Sequence, residues 1–149
     1  MSQAVTKLKA LYANFLTVDA KSVADLYAES VVFRDPVHEV KGLQAMQAYF
    51  AGVSQNLNEC RFEFDRVVGA GTWHSLWWVM HYRHPKLQGG KQLHLRGASL
   101  IQIDARDTQV IFHEDVYDLG AMVYEQVPLL GTVIRHVKGR LGDSGGENG

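Results

Sequence analysis

The chain has 149 residues, of which 46% are hydrophobic and 21% charged, with a formal net charge of −1. That length suits one domain able to bury roughly two-thirds of its unfolded surface, and a near-neutral charge without a basic run excludes a phosphate-neutralising nucleic-acid binder. One cysteine, Cys60, excludes an internal disulfide; no window approaches the ~20 apolar residues of a membrane span, so neither a membrane nor a leader is expected and the cytoplasm is the expected location.

Val5, Leu8, Leu11, Tyr12, Phe15 and Leu16 recur at helical spacing and predict an amphipathic first helix. Asp19 reads as the N-cap of a short second helix carrying Val23, Leu26 and Tyr27. Val31 to Pro36 reads as a short strand closed by its proline. Gly42 precedes a third helix with a stripe of Leu43, Met46, Tyr49, Phe50 and Val53. From Cys60 the period becomes extended. Strands are expected over Arg61 to Val68, Trp73 to His84, Gln92 to Ile103 and Val110 to Tyr117, with turns at Gly69-Ala70-Gly71, Pro85 to Lys91 and Asp104 to Asp107. Leu119 to Gln126 and Leu129 to Leu141 look helical, and the GDSGGENG tail at 142–149 is expected to stay unordered. Short turns between consecutive strands imply antiparallel pairing, and helices gathered before such a sheet imply an α+β fold with the helices on one face. One domain over 1–141 and a flexible tail follow.

Several side chains carry possible chemistry. Asp35 ends an apolar strand before Pro36, where desolvation would raise its pKa toward that of a general base; the alternative is a carboxylate that caps the next turn. Tyr12 lies on the apolar face of the first helix, either as core or as a phenol donating into a pocket. His113, Asp115 and Tyr117 alternate along the last strand and share one face, whether toward the interior or toward solvent. His94, Arg96 and Ala98 share a face of the neighbouring strand, where Arg96 would pair with Asp115. Cys60 reads as a small buried hydrophobe. The seven histidines are not expected to form a metal site, because His81 and His84 take opposite faces and His74, His94 and His113 sit on separate strands. The rings of Phe62, Trp73, Trp77, Trp78 and Tyr82 belong either to the core or to an outer sheet face covered by a second subunit.

The stretch LYAESVVFRDPVHEVKGLQAMQAYF, from Leu26 to Phe50, and HEDVYDLGAMVYEQVPLLG, from His113 to Gly131, resemble the nuclear transport factor 2-like superfamily in its SnoaL-like and ketosteroid-isomerase-related branch. That resemblance implies a cone-shaped, curved, mostly antiparallel mixed sheet of cystatin-like type with N-terminal helices on its concave face. It implies a cofactor-independent isomerase, cyclase or hydratase acting on a small apolar carbonyl compound, or a non-catalytic ligand-binding or dimerisation module of the same fold. Asp35 matches the isomerase general base and Tyr12 falls near its oxyanion-hole tyrosine, while Ala98 stands where a second, protonated Asp is found. Arg96 and Asp115 resemble two members of the epoxide-hydrolase set, and Asp115 with His113 or His94 resembles the acid/base of the SnoaL cyclases. Asp35, Asp115, Tyr12 and His113 are thus the candidate catalytic residues. Arg96, His94, Trp78, Phe33 and Phe50 are the candidate substrate contacts, with no cofactor or metal, a small apolar ligand, and a homodimer formed through the outer sheet face.

Overall fold

The structure, a computed structural model, describes residues 2–123. Helices α1 (Gln3–Ala13) and α2 (Ala20–Leu26) are followed by strands β1 (Tyr27–Arg34) and β2 (Glu39–Lys41), helix α3 (Leu43–Asn56), and strands β3 (Glu59–Ala70), β4 (Trp73–Arg83), β5 (Leu93–Ile103) and β6 (Val110–Tyr117). The short helix α4 (Leu119–Val123) lies in a second compact unit that begins at Asp118; the first unit ends at Tyr117. The helices expected beyond Val123 and the tail at 142–149 lie outside the described residues. Among those described, no helix is long and apolar enough to cross a membrane.

The fold is α+β, with a single open sheet of six strands in the order β2-β1-β6-β5-β4-β3. Neighbours pair antiparallel except β1 and β6, which are parallel and align Phe33 with His113. Local signals explain the helices. Ser2 and Asp19 cap α1 and α2 by accepting from the N–H groups of Val5 and Ser22. Asp107, in the β5–β6 hairpin, accepts from the Ser2 hydroxyl and the Gln3 and Ala4 N–H groups, which ties the start of α1 to the sheet. Gly42 enters α3 at φ 91°, a conformation open to glycine at no steric cost.

Two features depart from the sequence expectation. Tyr27 is the first residue of β1 and not a helical stripe residue, and β2 is an additional strand of three residues, too short to show a period of two. The helices cover one face of the sheet. Leu8, Tyr12, Phe15, Leu26 and Phe50 pack there against Val31, Phe33, Phe62, Leu76, Trp78 and Ile101 in one continuous core. Cys60 is buried in it, and burial pushes its thiol up to about 12, so it behaves as a small hydrophobe.

Candidate functional site

The inner sheet face carries polar groups in its middle. His113 and Asp115 alternate with outward residues on β6, and both point inward, as does Ser99 opposite Asp115 on β5. These three, with Tyr12 on α1, Tyr27 on β1 and Trp78 on β4, form a continuous hydrogen-bonded relay. Tyr12 Oη lies 2.8 Å from Tyr27 Oη, which lies 2.9 Å from His113 Nδ1. His113 Nε2 lies 2.7 Å from Asp115 Oδ1. The same carboxylate oxygen accepts from Ser99 Oγ at 2.5 Å, and Ser99 accepts from Trp78 Nε1 at 2.9 Å.

The chemistry of the end groups sets the direction of this relay. An indole N–H only donates and a carboxylate only accepts, so Trp78 donates to Ser99 and Ser99 spends its one proton on Asp115. In the neutral imidazole, Nε2 carries the proton aimed at Asp115, which leaves Nδ1 as an acceptor. Tyr27 therefore donates to His113, and Tyr12 donates to Tyr27. Burial is the largest cause holding the phenols of Tyr12 and Tyr27 well above the ordinary tyrosine range, so both remain protonated. Every bond points toward Asp115 Oδ1. Asp115 Oδ2 accepts no hydrogen bond among the described residues, and the side chain keeps 11% of its surface exposed.

Gly97 makes the arrangement possible. It pairs with Trp78 across β4 and β5, and a Cβ there would collide with the far edge of the indole. Phe62 stacks edge-on against the same ring at 4.9 Å, so the indole has nowhere to retreat.

Asp35 is inward as well, with only 3% of its side chain exposed, yet its carboxylate is already occupied. Oδ1 accepts from the N–H groups of Val37 and His38, His38 Nδ1 lies 3.0 Å from both oxygens, and Tyr49 donates to Oδ2 at 3.3 Å. Burial works to raise its pKa, but the bonds from His38 and the Val37 N–H outweigh it and bring the group below the ordinary range. The expected elevation is thus reversed: Asp35 is a turn-capping carboxylate and a poor base. The charges of Asp35 and Asp115 both act, behind burial, to raise the phenols of Tyr49 and Tyr117, so the two carboxylates flank one region at the inner face.

The remaining candidates separate into core and outer face. Phe33, Phe50 and Trp78 are fully buried ring contacts, and Tyr12 ends the relay inside the core instead of meeting a ligand. Arg96 and His94 lie on the outer face. Arg96 pairs with Asp65 at 2.9 Å and sits over Trp77, so it does not reach Asp115; His94 meets His81 Nδ1 at 2.6 Å. Their alternation was readable, but alternation alone does not say which face is inside. Ala98 shares that outer face, and the inward polar position beside it is Ser99. Sequence reasoning missed Ser99 and Tyr27. The inward parity of Ser99 followed from Leu93, Leu95 and Ile101, the apolar residues of β5. Two surface clefts, of about 610 and 410 Å³, lie elsewhere, at the start of α3 and between α1 and α2; neither is lined by Asp35 or Asp115.

Against known proteins, a family model described as a SnoaL-like domain matches residues 8–113. The fold resembles a protein with a ketosteroid isomerase-like fold from Catenulispora acidiphila, solved in complex with trimethylamine, at TM-score 0.70 and 14% identity over 82% of this chain and 90% of that one. It also resembles a candidate SnoaL-like polyketide cyclase from Shewanella putrefaciens, at TM-score 0.67 and 21% identity over 82% and 94%. A third similar structure is an NTF2-like protein of unknown function from Burkholderia pseudomallei, at TM-score 0.70 and 17% identity over 83% and 97%. No curated protein matches the sequence.

Proposed function

This chain belongs to the SnoaL-like domain family, on the nuclear transport factor 2-like fold, and from that premise we propose that it catalyses proton transfer on a small apolar carbonyl compound, as an isomerase, cyclase or hydratase that needs no cofactor. One observation carries this reading: a buried relay in which each donor points at Asp115 Oδ1, while Oδ2 accepts no hydrogen bond among the described residues on a side chain that keeps 11% of its surface exposed. Asp115 Oδ2 removes a proton from the carbon beside the carbonyl. The C–H electron pair moves into the carbonyl and forms an enolate, and the same carboxyl returns the proton to that carbon or to its vinylogous position. His113 and Ser99 hold the carboxylate in place, which is electrostatic preorganisation in a water-poor setting. In this reading Tyr117, two residues along the same strand face, donates to the enolate oxygen, a role that Tyr12 cannot fill while it donates to Tyr27.

The test is α-hydrogen exchange, which needs no knowledge of the product. A panel of α-tetralone, 2-cyclohexenone and 4-phenylcyclohexanone is incubated in D₂O, and deuteration is followed by NMR. Wild type accelerates exchange of at least one ketone, and Asp115→Asn lowers the rate by about 10²–10⁴-fold, the usual contribution of a positioned base. An asparagine Oδ1 still accepts from His113 and Ser99, so the variant folds, which its thermal melt verifies. Equal rates for the two proteins, or no acceleration of any ketone, defeat the proposal.

A separate observation favours an assembly role alongside catalysis. On the outer sheet face Trp77 is 40% and Val116 55% exposed, with Trp73 and Leu100 nearby. A second copy of this chain covering that face would form a homodimer through the sheet.

A further inference from the structure

The outer sheet face carries a second polar cluster, on the opposite side of the sheet from Asp115. His81 of β4 and His94 of β5 are register partners, so their side chains leave the same face next to one another. Alternation along each strand by itself does not reveal this, because the pairing of the two strands sets it. The rings meet almost at right angles, at 85°, with centroids 4.7 Å apart. Both present Nδ1 to the gap, and these nitrogens lie 2.6 Å apart. That is closer than the roughly 2.9–3.0 Å at which an N–H usually meets its acceptor.

The far side of the His81 ring is held as well. Its Nε2 lies 2.9 Å from Glu63 Oε2 of β3. A carboxylate only accepts, so Nε2 carries a proton and, in the neutral ring, Nδ1 holds a lone pair aimed at His94. The neighbouring cations are already engaged. Arg61, the register partner of His81 on β3, lies 3.9 Å from both Glu59 and Glu63. Arg96, the next outward residue on β5, pairs with Asp65 at 2.9 Å. A carboxylate bonded to the remote nitrogen of an imidazole is the arrangement that fixes the tautomer of a metal-binding histidine and raises its basicity.

We propose that His81 and His94 chelate a divalent transition cation of the zinc class through their Nδ1 atoms, with Glu63 orienting His81 from behind. Two nitrogens bound at about 2.1 Å to a tetrahedral cation stand about 3.4 Å apart. His94 is exposed and opens the gap by that fraction of an ångström, while His81, with 13% of its side chain exposed and Glu63 on its other nitrogen, is the fixed half. His94 moves its proton from Nδ1 to Nε2 through solvent, so the neutral pair binds with no net proton released. Imidazole nitrogens select zinc, nickel or copper over the hard, oxygen-seeking magnesium. No group of three or more His, Cys, Asp and Glu side chains is arranged to hold a metal among the described residues, so water fills the remaining positions. The site also has a mechanical consequence. Strand β6 ends at Tyr117, opposite Gly97, so Leu93 to Arg96 of β5 pair with β4 alone. A cation shared by His81 and His94 clips this one-sided end of β5 to the sheet.

Metal alone is the probe. Chelator-stripped wild type is titrated with ZnCl₂ by calorimetry and melted at a Zn²⁺ concentration about tenfold above the dissociation constant. One Zn²⁺ binds per chain and raises the melting temperature by about 3–6 °C, while MgCl₂ at the same concentration leaves it within about 1 °C. One equivalent of Cu²⁺ shows the EPR coupling of two nitrogens. His81→Gln and His94→Gln each remove one of those nitrogens and weaken Zn²⁺ at least about tenfold, and Glu63→Ala keeps both nitrogens yet weakens Zn²⁺ about tenfold, as loss of an outer-sphere partner does. Asp115→Asn binds Zn²⁺ as wild type does. Metal-free melts verify that the variants fold, and the EPR signal of wild type stands without them. Equal responses to Zn²⁺ and Mg²⁺, no nitrogen coupling in wild type, undiminished Zn²⁺ binding when both histidines are replaced, or unchanged affinity in Glu63→Ala overturns the assignment and leaves the pair as an ordinary N–H···N hydrogen bond.

Discussion

Tyr27→Phe probes the direction of the buried relay, and its cost follows from which groups it strands. The Tyr27 hydroxyl donates to His113 Nδ1 at 2.9 Å and accepts from Tyr12 at 2.8 Å, and the residue has no exposed surface. Removing it leaves an imidazole acceptor and a phenol donor without partners, each worth about 1–3 kcal/mol, so the variant loses about 2–6 kcal/mol. Tyr12→Phe behaves differently. Tyr27 keeps its bond to His113 and loses only an incoming donor, a loss of about 1 kcal/mol. The double variant then strands His113 Nδ1 alone. It is more stable than Tyr27→Phe by itself, so adding the second substitution recovers stability. Urea unfolding of the four proteins measures this, provided the slopes agree. Were the relay reversed, with His113 donating to Tyr27 and Tyr27 to Tyr12, Tyr12→Phe would strand the Tyr27 proton and cost about as much as Tyr27→Phe, which would strand the His113 proton. A double variant weaker than Tyr27→Phe, or a Tyr12→Phe as damaging as Tyr27→Phe, refutes the direction assigned here and with it the claim that the relay terminates at Asp115.

Asp35 gives a pH signature. Its folded pKa lies below the ordinary carboxylate value, so its contribution to stability is complete above the unfolded pKa of about 4 and fades as pH falls through the lower folded value. Unfolding midpoints measured down through that acid window fall more steeply for wild type than for Asp35→Asn, and parallel curves contradict the assignment. For the outer face, sedimentation velocity reports a dimer for wild type and a monomer for Trp77→Glu with Val116→Lys; a monomeric wild type at every concentration removes the homodimer proposal.

Much of this layout was legible in the sequence, and the misses share one cause. The span of β6 emerged residue for residue, because the Asp104 to Asp107 turn and the alternation after it are local signals. The shared face of His113, Asp115 and Tyr117 followed from the same alternation. Whether that face looked inward did not, since it is decided by parallel pairing with β1, where Phe33 meets His113, 80 positions along the chain. On β5 the parity was equally plain, yet placing a functional position at Ala98 instead of Ser99 inverted the face. A shift of one residue along a strand exchanges inside for outside, and His94 and Arg96 face outward, away from Asp115. In the sequence, Val23, Leu26 and Tyr27 fit a helical stripe that would extend α2. The extended backbone of Tyr27, at φ −102° and ψ 137°, instead makes it both the cap of α2 and the first residue of β1.

The relay follows from one physical circumstance. A carboxylate buried beside Trp78, Phe62 and Tyr12 requires donors, and the fold supplies two to a single oxygen, Asp115 Oδ1. Oδ2 is left with unspent accepting capacity among the described residues. A ligand that brings an acidic C–H to Oδ2 uses that capacity, and a chain that had no such ligand would gain stability by replacing Asp115 with a neutral residue of the same shape. That contrast between stability and turnover in one variant is what separates a working site from a core that merely tolerates polar groups.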